Sequence, residues 1–412
     1  MLKNYFKITF RNILRNKGYA AVNILGLAVG MASCVLILFY VQYEMSFDNF
    51  QNNRDNIYRL VLEKKVHEGT RNDAVTPPPL SPALTNDFPA IKSSVRFVTM
   101  DNPVPLVSSG DKRFYENQFF FVDPGIFEVF TIHFVSGDFR TALQEPNSVV
   151  ITEGTSKKYF GTGYSIGKTL LLNNNISLRV TGVIKNFPSN SAISADFLTS
   201  FSTLYSWLGK GFMDNWQNNM CNTYILLREH ASAADLAKEL PGFINKYVDK
   251  SNPIKNIWLQ PLSRIHLYSH EDYDISSDGD IHFVWILTTV AIFILFIACF
   301  NYVGLTMARS IKRFRETGVR KLFGATQKQL VGQFLSESLF YVIIALTLAL
   351  LIVTFALPEL SNIIGKDFSI NSLEYWKMII LPAAFVLFAG LLSGSYPAFF
   401  LSLFRGCCPS IL

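Results

Sequence analysis

The chain has 412 residues; half are hydrophobic, only 17% are charged, and the formal net charge is +6. Soluble domains carry roughly 25% charged residues, so this composition excludes an ordinary soluble protein and points to the membrane. The basic excess sits in two clusters flanked by apolar runs, which argues against nucleic-acid binding and for cytoplasmic anchoring.

Residues 1–18 hold Lys3, Lys7, Arg11, Arg15 and Lys17 and no acid. The i, i+4 spacing of the first four puts one basic stripe on a helix, with Leu2, Phe6, Phe10, Ile13 and Leu14 beside it. That pattern is an amphipathic helix lying in the inner interface. Two readings stand: an elbow helix that braces the first span, or topology charge alone.

Four apolar stretches approach the ~20 residues that cross a ~30 Å hydrocarbon core. They are Ile24 to Tyr43, Phe283 to Asn301, Leu339 to Leu357 and Met378 to Phe400. The first is too long for the apolar region of a signal peptide, and no small-residue cleavage site follows it. It is read as uncleaved. The stretch 309–328 holds seven basic residues against Glu316 alone, whereas 358–377 carries Glu359, Asp367 and Glu374 against Lys366 and Lys377. The positive-inside rule therefore places both termini and the basic segment in the cytoplasm and Glu44 to His282 outside. Gly26-xxx-Gly30 and Gly390-xxx-Gly394 have the spacing that lets membrane helices approach closely. Pro382 and Pro397 kink the last helix or mark its ends. Glu337 sits near the inner edge of the third span, where a structural ion pair with the basic segment is favoured over a transport role.

The outer segment reads as mixed α/β. Strand-like runs begin at Asn56, Ser94, Ser148, Leu178, Thr223 and Ile257, and helical runs at Pro82 and Ala233. The arrangement is two β-α-β-like pieces flanking a β-rich insert. Catalytic constellations are missing. Gly167-Lys168-Thr169 imitates a phosphate-binding loop, but position 162 is Thr where that loop needs Gly. His266 and His270 are four apart without the Glu of a zinc protease helix. Cys34 and Cys299 lie in apolar spans, Cys221 is alone outside, and Cys407 and Cys408 have no metal-site spacing. No enzyme, metal or cofactor is expected.

The segment 315–325 is the most informative. It reads Arg-Glu-Thr-Gly-Val-Arg-Lys-Leu-Phe-Gly-Ala. Glu316 and Arg320 form a favourable i, i+4 pair, and Val319, Leu322 and Phe323 add an apolar centre suited to a cleft on a soluble partner. The plainer reading is an interfacial loop held by lipid head groups. This run, with Gly394-SYPAFFLS, Phe10-RNILRNKGYAAVNILGLAVG, Val122-DPGIFEVF and Leu259-QPLSRIHL, resembles the FtsX/MacB-type permeases of ABC transporters. The resemblance reaches to about Arg405.

It implies an α-helical membrane protein with four transmembrane helices and a large α/β extracytoplasmic domain inserted between helices 1 and 2. The expected divisions are an interfacial helix 1–18, a first span 19–43, a MacB-like core domain 44–282 and an FtsX-like permease domain 283–412. The later spans are expected near 283–305, 335–357 and 378–403, with a coupling loop at 309–329. Arg315, Glu316, Gly318, Arg320, Lys321, Gly324 and Ala325 take the coupling role. Gly26, Gly30, Gly390 and Gly394 take helix packing. The implied partners are a separate cytoplasmic ABC ATPase, a second permease module (identical or not), a periplasmic partner and lipid. The implied mechanism is mechanotransmission, with ATP work reshaping the outer domain for export or envelope remodelling. The competing function is a sensor or scaffold whose outer domain binds a partner such as a cell-wall hydrolase. Many relatives carry two modules in tandem where one is present here, which leaves a one-module permease and half of a longer one both open.

Overall fold

The computed structural model describes residues 11, 15–100, 103–249, 252–275, 279–323, 326–364 and 379–388. The chain forms two compact units, one of residues 1–43 with 282–412 and the other of Glu44–Ile281. Helix α1 spans Lys17–Met45. The interfacial helix expected at 1–18 lies largely outside the described residues.

The outer unit is built on one mixed 14-stranded sheet. Its strands are β1 (Ile57–Val66), β2 (Gly69–Asp73), β3 (Val75–Thr76), β4 (Ile91–Thr99), β5 (Leu106–Ser109), β6 (Lys112–Tyr115) and β7 (Phe119–Val122). They continue as β8 (Phe134–Gly137), β9 (Ser148–Thr152), β10 (Thr169–Leu172), β11 (Ile176–Ile184), β12 (Phe197–Ser200), β13 (Cys221–Leu227) and β14 (Ile254–Pro261). The helices are α2 (Leu80–Asp87), α3 (Ile126–Val129), α4 (Glu153–Phe160), α5 (Ser202–Leu208), α6 (Lys210–Met213), α7 (Ala233–Tyr247) and α8 (Leu262–Tyr268).

The two β-α-β pieces do not flank the insert as separate bodies. They interleave in the antiparallel order β14-β1-β13-β4. This is the split β-α-β arrangement of ferredoxin-like folds. The insert extends the same sheet from β4 through β7, β12, β9, β11, β10, β5 and β6. Pairing is antiparallel except for β9 with β11 and β7 with β12.

Period-two burial explains why this piece needs both faces covered. On β13, Ile225 and Leu227 face the cluster containing α2 and α7, while Tyr224 and Leu226 face the cluster containing α3 and α8. Helix α7 starts at Ser232, whose side chain accepts from the Asp235 N–H. It buries Leu236, Leu240, Phe243 and Ile244 at helical spacing. Each such burial is worth about 1.5–3 kcal/mol. At the β10–β11 turn, Asn173 and Asn174 have φ of 49° and 56°, a conformation that Asn tolerates.

In the membrane unit, α9 runs Ile281–Leu322 and α10 runs Gln327–Ile364. A shorter apolar helix, α11, covers Ile379–Phe388. Among the described residues, three stretches are long and apolar enough to cross a membrane: Lys17–Met45, Ile281–Ala308 and Leu335–Ile363. The remainder of the expected fourth span lies outside the described residues. Small side chains line the packed faces, with Ala28 and Ala32 on α1, Ala291 and Ala298 on α9, and Ala345 and Ala349 on α10. Large apolar side chains such as Trp285, Phe293, Phe300 and Phe355 point outward, as lipid-facing residues do.

Over the segment 309–329, expected as the coupling loop, the backbone continues α9 to Leu322, and the next helix starts at Gln327. The expected outer loop at 358–377 likewise begins as helix, since α10 carries Pro358 inside it and ends at Ile364.

Candidate functional site

The candidate coupling residues fall at the far end of α9. Arg315, Glu316, Gly318, Arg320 and Lys321 share its helical backbone, whereas Gly324 and Ala325 lie outside the described residues. At ~1.5 Å per residue, 42 residues make a rod of about 63 Å, roughly twice the hydrocarbon thickness. The basic stretch is therefore a rigid extension of the membrane-crossing stretch.

The packing glycines divide. A Cβ on Gly30 would stand 2.5 Å from the Ala298 Cβ, so the bare backbone permits α1 and α9 to approach there. A Cβ on Gly26 would meet nothing within 4 Å. The expected two-glycine face is thus a single close contact within the described chain, because Gly26 lies on the exposed side of α1. Gly390 and Gly394 lie outside the described residues. Glu337 is buried in α10.

A second cluster lies in the outer unit, where the chain comes in after α1 and goes out toward α9. Glu44 and His266 Nε2 share a 2.7 Å hydrogen bond, and both side chains are buried. The Phe47 ring stacks on the imidazole, with centroids 3.3 Å apart and planes 5° apart. Gly279 donates its N–H to the His266 carbonyl at 3.0 Å. A Cβ on Gly279 would stand 2.7 Å from His266 Nε2 and 2.8 Å from that carbonyl, so a side chain is excluded. His266 on α8 therefore holds the incoming and outgoing segments together.

Both segments are anchored further. Asp48 accepts from the Ala192 N–H at 3.1 Å and the Ser191 hydroxyl at 3.4 Å. Burial pushes its carboxyl up to about 6, against those hydrogen bonds and the attraction of His266 and Arg54. On the outgoing side, the fully buried Arg59 of β1 donates to Asp274 at 2.5 Å, Gln260 at 2.5 Å, Ser269 at 2.7 Å and Glu271 at 3.3 Å. Such a charge is tolerated in the interior only because its donors are matched.

Sequence reading missed this cluster. The spacing of His266 and His270 carries no motif, and the actual partner of His266, Glu44, is 222 positions away. Gly167 has φ 82° and leads into strand β10, whereas a phosphate-binding loop leads into a helix. Among the described residues, no group of His, Cys, Asp and Glu is arranged to hold a metal ion.

A family model of the MacB-like periplasmic core domain matches residues 20–242, and one of the FtsX-like permease C-terminal matches residues 288–402. The chain belongs to the FtsX/MacB-type permeases. This permease is an ABC-transporter-type membrane component, a multi-pass inner-membrane protein with an extracytoplasmic domain. The first match stops inside α7, yet β14 beyond it pairs with β1 along seven register positions, so the folded domain is longer than the matched stretch.

Three solved structures are similar. A domain of a candidate permease protein from Porphyromonas gingivalis is 18% identical, covers 51% of this chain and 91% of its own, and has a TM-score of 0.44. The periplasmic region of MacB from Actinobacillus actinomycetemcomitans is 16% identical, with coverage of 52% and 91% and a TM-score of 0.38. The extracellular domain of the noncanonic ABC-type transporter YknZ from Gram-positive bacteria is 16% identical, with coverage of 50% and 100% and a TM-score of 0.37. No curated protein matches the permease.

Proposed function

We propose that this permease converts ATP hydrolysis by a separate cytoplasmic ATPase into movement of its outer domain, for export or envelope remodelling. The topology in this reading has four spans, the fourth running 378–403 through α11. Both termini are cytoplasmic and residues 44–282 are extracytoplasmic. The observation that carries the reading is the continuity of α9. A single unbroken helix links the outgoing segment of the outer unit, across an apolar stretch, to Arg315, Glu316, Gly318, Arg320 and Lys321. A rod of that kind cannot absorb displacement at its basic end by bending a loop. It passes the displacement on to residue 281 and so to the segment tied at His266. The ATPase docks on the basic end, with Gly324 and Ala325 completing the surface. A second permease module, identical or different, supplies the other half of the transporter.

The test is co-purification of the permease with its ATPase. Glu316→Lys and Lys321→Glu should each strip the ATPase from the complex while leaving permease abundance in the membrane unchanged. A complex that survives both charge reversals would overturn the docking assignment and favour a sensor or scaffold that does not use ATP.

A further inference from the structure

The outer unit holds a pocket of about 510 Å³ beside β1, β3 and β13. That lies within the ~300–1,000 Å³ range of small-molecule sites. Its charged lining is already spoken for. Lys64 Nζ lies 2.5 Å from Asp73, Arg71 Nε lies 2.6 Å from the other oxygen of Asp73, and Asp274 lies 2.5 Å from Arg59. Burial would raise Asp73, but the hydrogen bonds from Arg71 and Lys64 outweigh it and hold the carboxyl below its usual range. An ionic ligand would have to break these pairs to be bound.

What remains is neutral and polar. Gln217, Asn219, Asn222 and Thr99 line the pocket. The Asn219 Oδ1 is buried with no hydrogen-bond partner among the described residues, an acceptor left open. One wall is Tyr273, 64% exposed, at φ 64°. Positive φ is costly for a bulky residue and persists only where the surroundings over-determine it. Here they do. The Asn222 amide donates to the Tyr273 carbonyl at 3.1 Å, Asp272 donates its N–H to the Asn72 carbonyl at 3.0 Å, and Ala74 donates to the Asp272 carbonyl at 2.9 Å. The fold thus holds an exposed aromatic ring in a strained position at a cavity. The Arg71 guanidinium lies over that ring, 5.7 Å from its centroid.

Carboxamides and hydroxyls both donate and accept, as vicinal sugar hydroxyls do. An exposed aromatic face suits the apolar C–H face of a pyranose ring. We infer that this pocket binds a neutral saccharide of one or two rings, with Tyr273 as the stacking wall and Gln217 and Asn219 contacting its hydroxyls. The inference is independent of ATPase docking, because binding is measured on the permease alone.

The experiment uses the full chain in lipid nanodiscs, free of sugar-based detergent. Saturation-transfer NMR and calorimetry would be run with cellobiose and N,N′-diacetylchitobiose, beside glucosamine 6-phosphate and trialanine. The expected result is saturable binding of a neutral disaccharide, weakened about tenfold by Tyr273→Gly and by Gln217→Ala. Gly relieves the positive φ, so a loss of binding with an unchanged thermal midpoint reports the ring and not misfolding. The inference is overturned if neither disaccharide binds, if the phosphosugar or the peptide binds more tightly, or if both variants bind like the parent.

Discussion

Glu44 and His266, 222 positions apart, share a buried 2.7 Å hydrogen bond where the two ends of the outer unit meet. Removing one partner of a buried pair strands the other in a low-dielectric site, at a cost of roughly 3–5 kcal/mol. His266→Ala also removes the ring on which Phe47 stacks. Its thermal midpoint should fall far more than that of Glu44→Gln, which keeps a polar partner. Equal, mild shifts in the two variants would refute the pairing as a structural tie.

Gly279→Ala probes the same junction from the outgoing side. The new methyl would press on the His266 carbonyl at 2.8 Å, and backbone cannot swing away as a flexible side chain could. Overpacking of this kind costs about 1–3 kcal/mol. Hydrogen exchange should rise in residues 262–281 while the β13 amides stay protected. Unaltered exchange across 262–281 would count against the contact.

Asp48 gives a pH signature. Its carboxyl titrates near 6 in the folded chain against an ordinary value of 3.8. The folded state therefore binds more protons than the unfolded state between these values, and stability falls as pH rises from about 4 to about 6. The loss levels off above that, at about 3 kcal/mol at most. Asn tolerates the φ of 57° at this position and keeps an acceptor for the Ala192 N–H. Asp48→Asn should raise the thermal midpoint at pH 7.5 and leave it nearly unchanged at pH 3.5. A difference that is the same at both pH values would show that burial of the charge is not the cause.

Gly30→Ala tests the close approach of α1 and α9. The added Cβ would lie 2.5 Å from the Cβ of Ala298, so the helices must separate. A loss of about 1–3 kcal/mol is expected. Ala298→Gly in the same chain should restore most of it, as contacting residues are not additive. Gly26→Ala, with open space around it, should be silent. Failure of Ala298→Gly to rescue would mean that the two residues do not meet.

Local pattern carried much of this protein. Apolar length marked the spans, because the bilayer demands a fixed number of consecutive apolar residues. Short β-branched and apolar runs marked strands such as 148–152 and 223–227, because a strand covered on both faces buries every side chain. The run from Arg315 to Ala325 pointed to the permease family through adjacent residues alone. Tertiary structure decided the rest. The order β14-β1-β13-β4 joins strands from opposite ends of the domain, and no short window holds both partners. That the apolar stretch and the basic segment share one unbroken helix is decided by the backbone, because a helix satisfies its own hydrogen bonds whether lipid or water surrounds it and composition marks no joint. His266 looked incidental because its partners Glu44 and Phe47 come from the far end of the domain and Gly279 from beyond the helix that carries it. Only the folded chain brings the three to one imidazole, where burial turns a weak polar contact into a tie between the two ends of the domain.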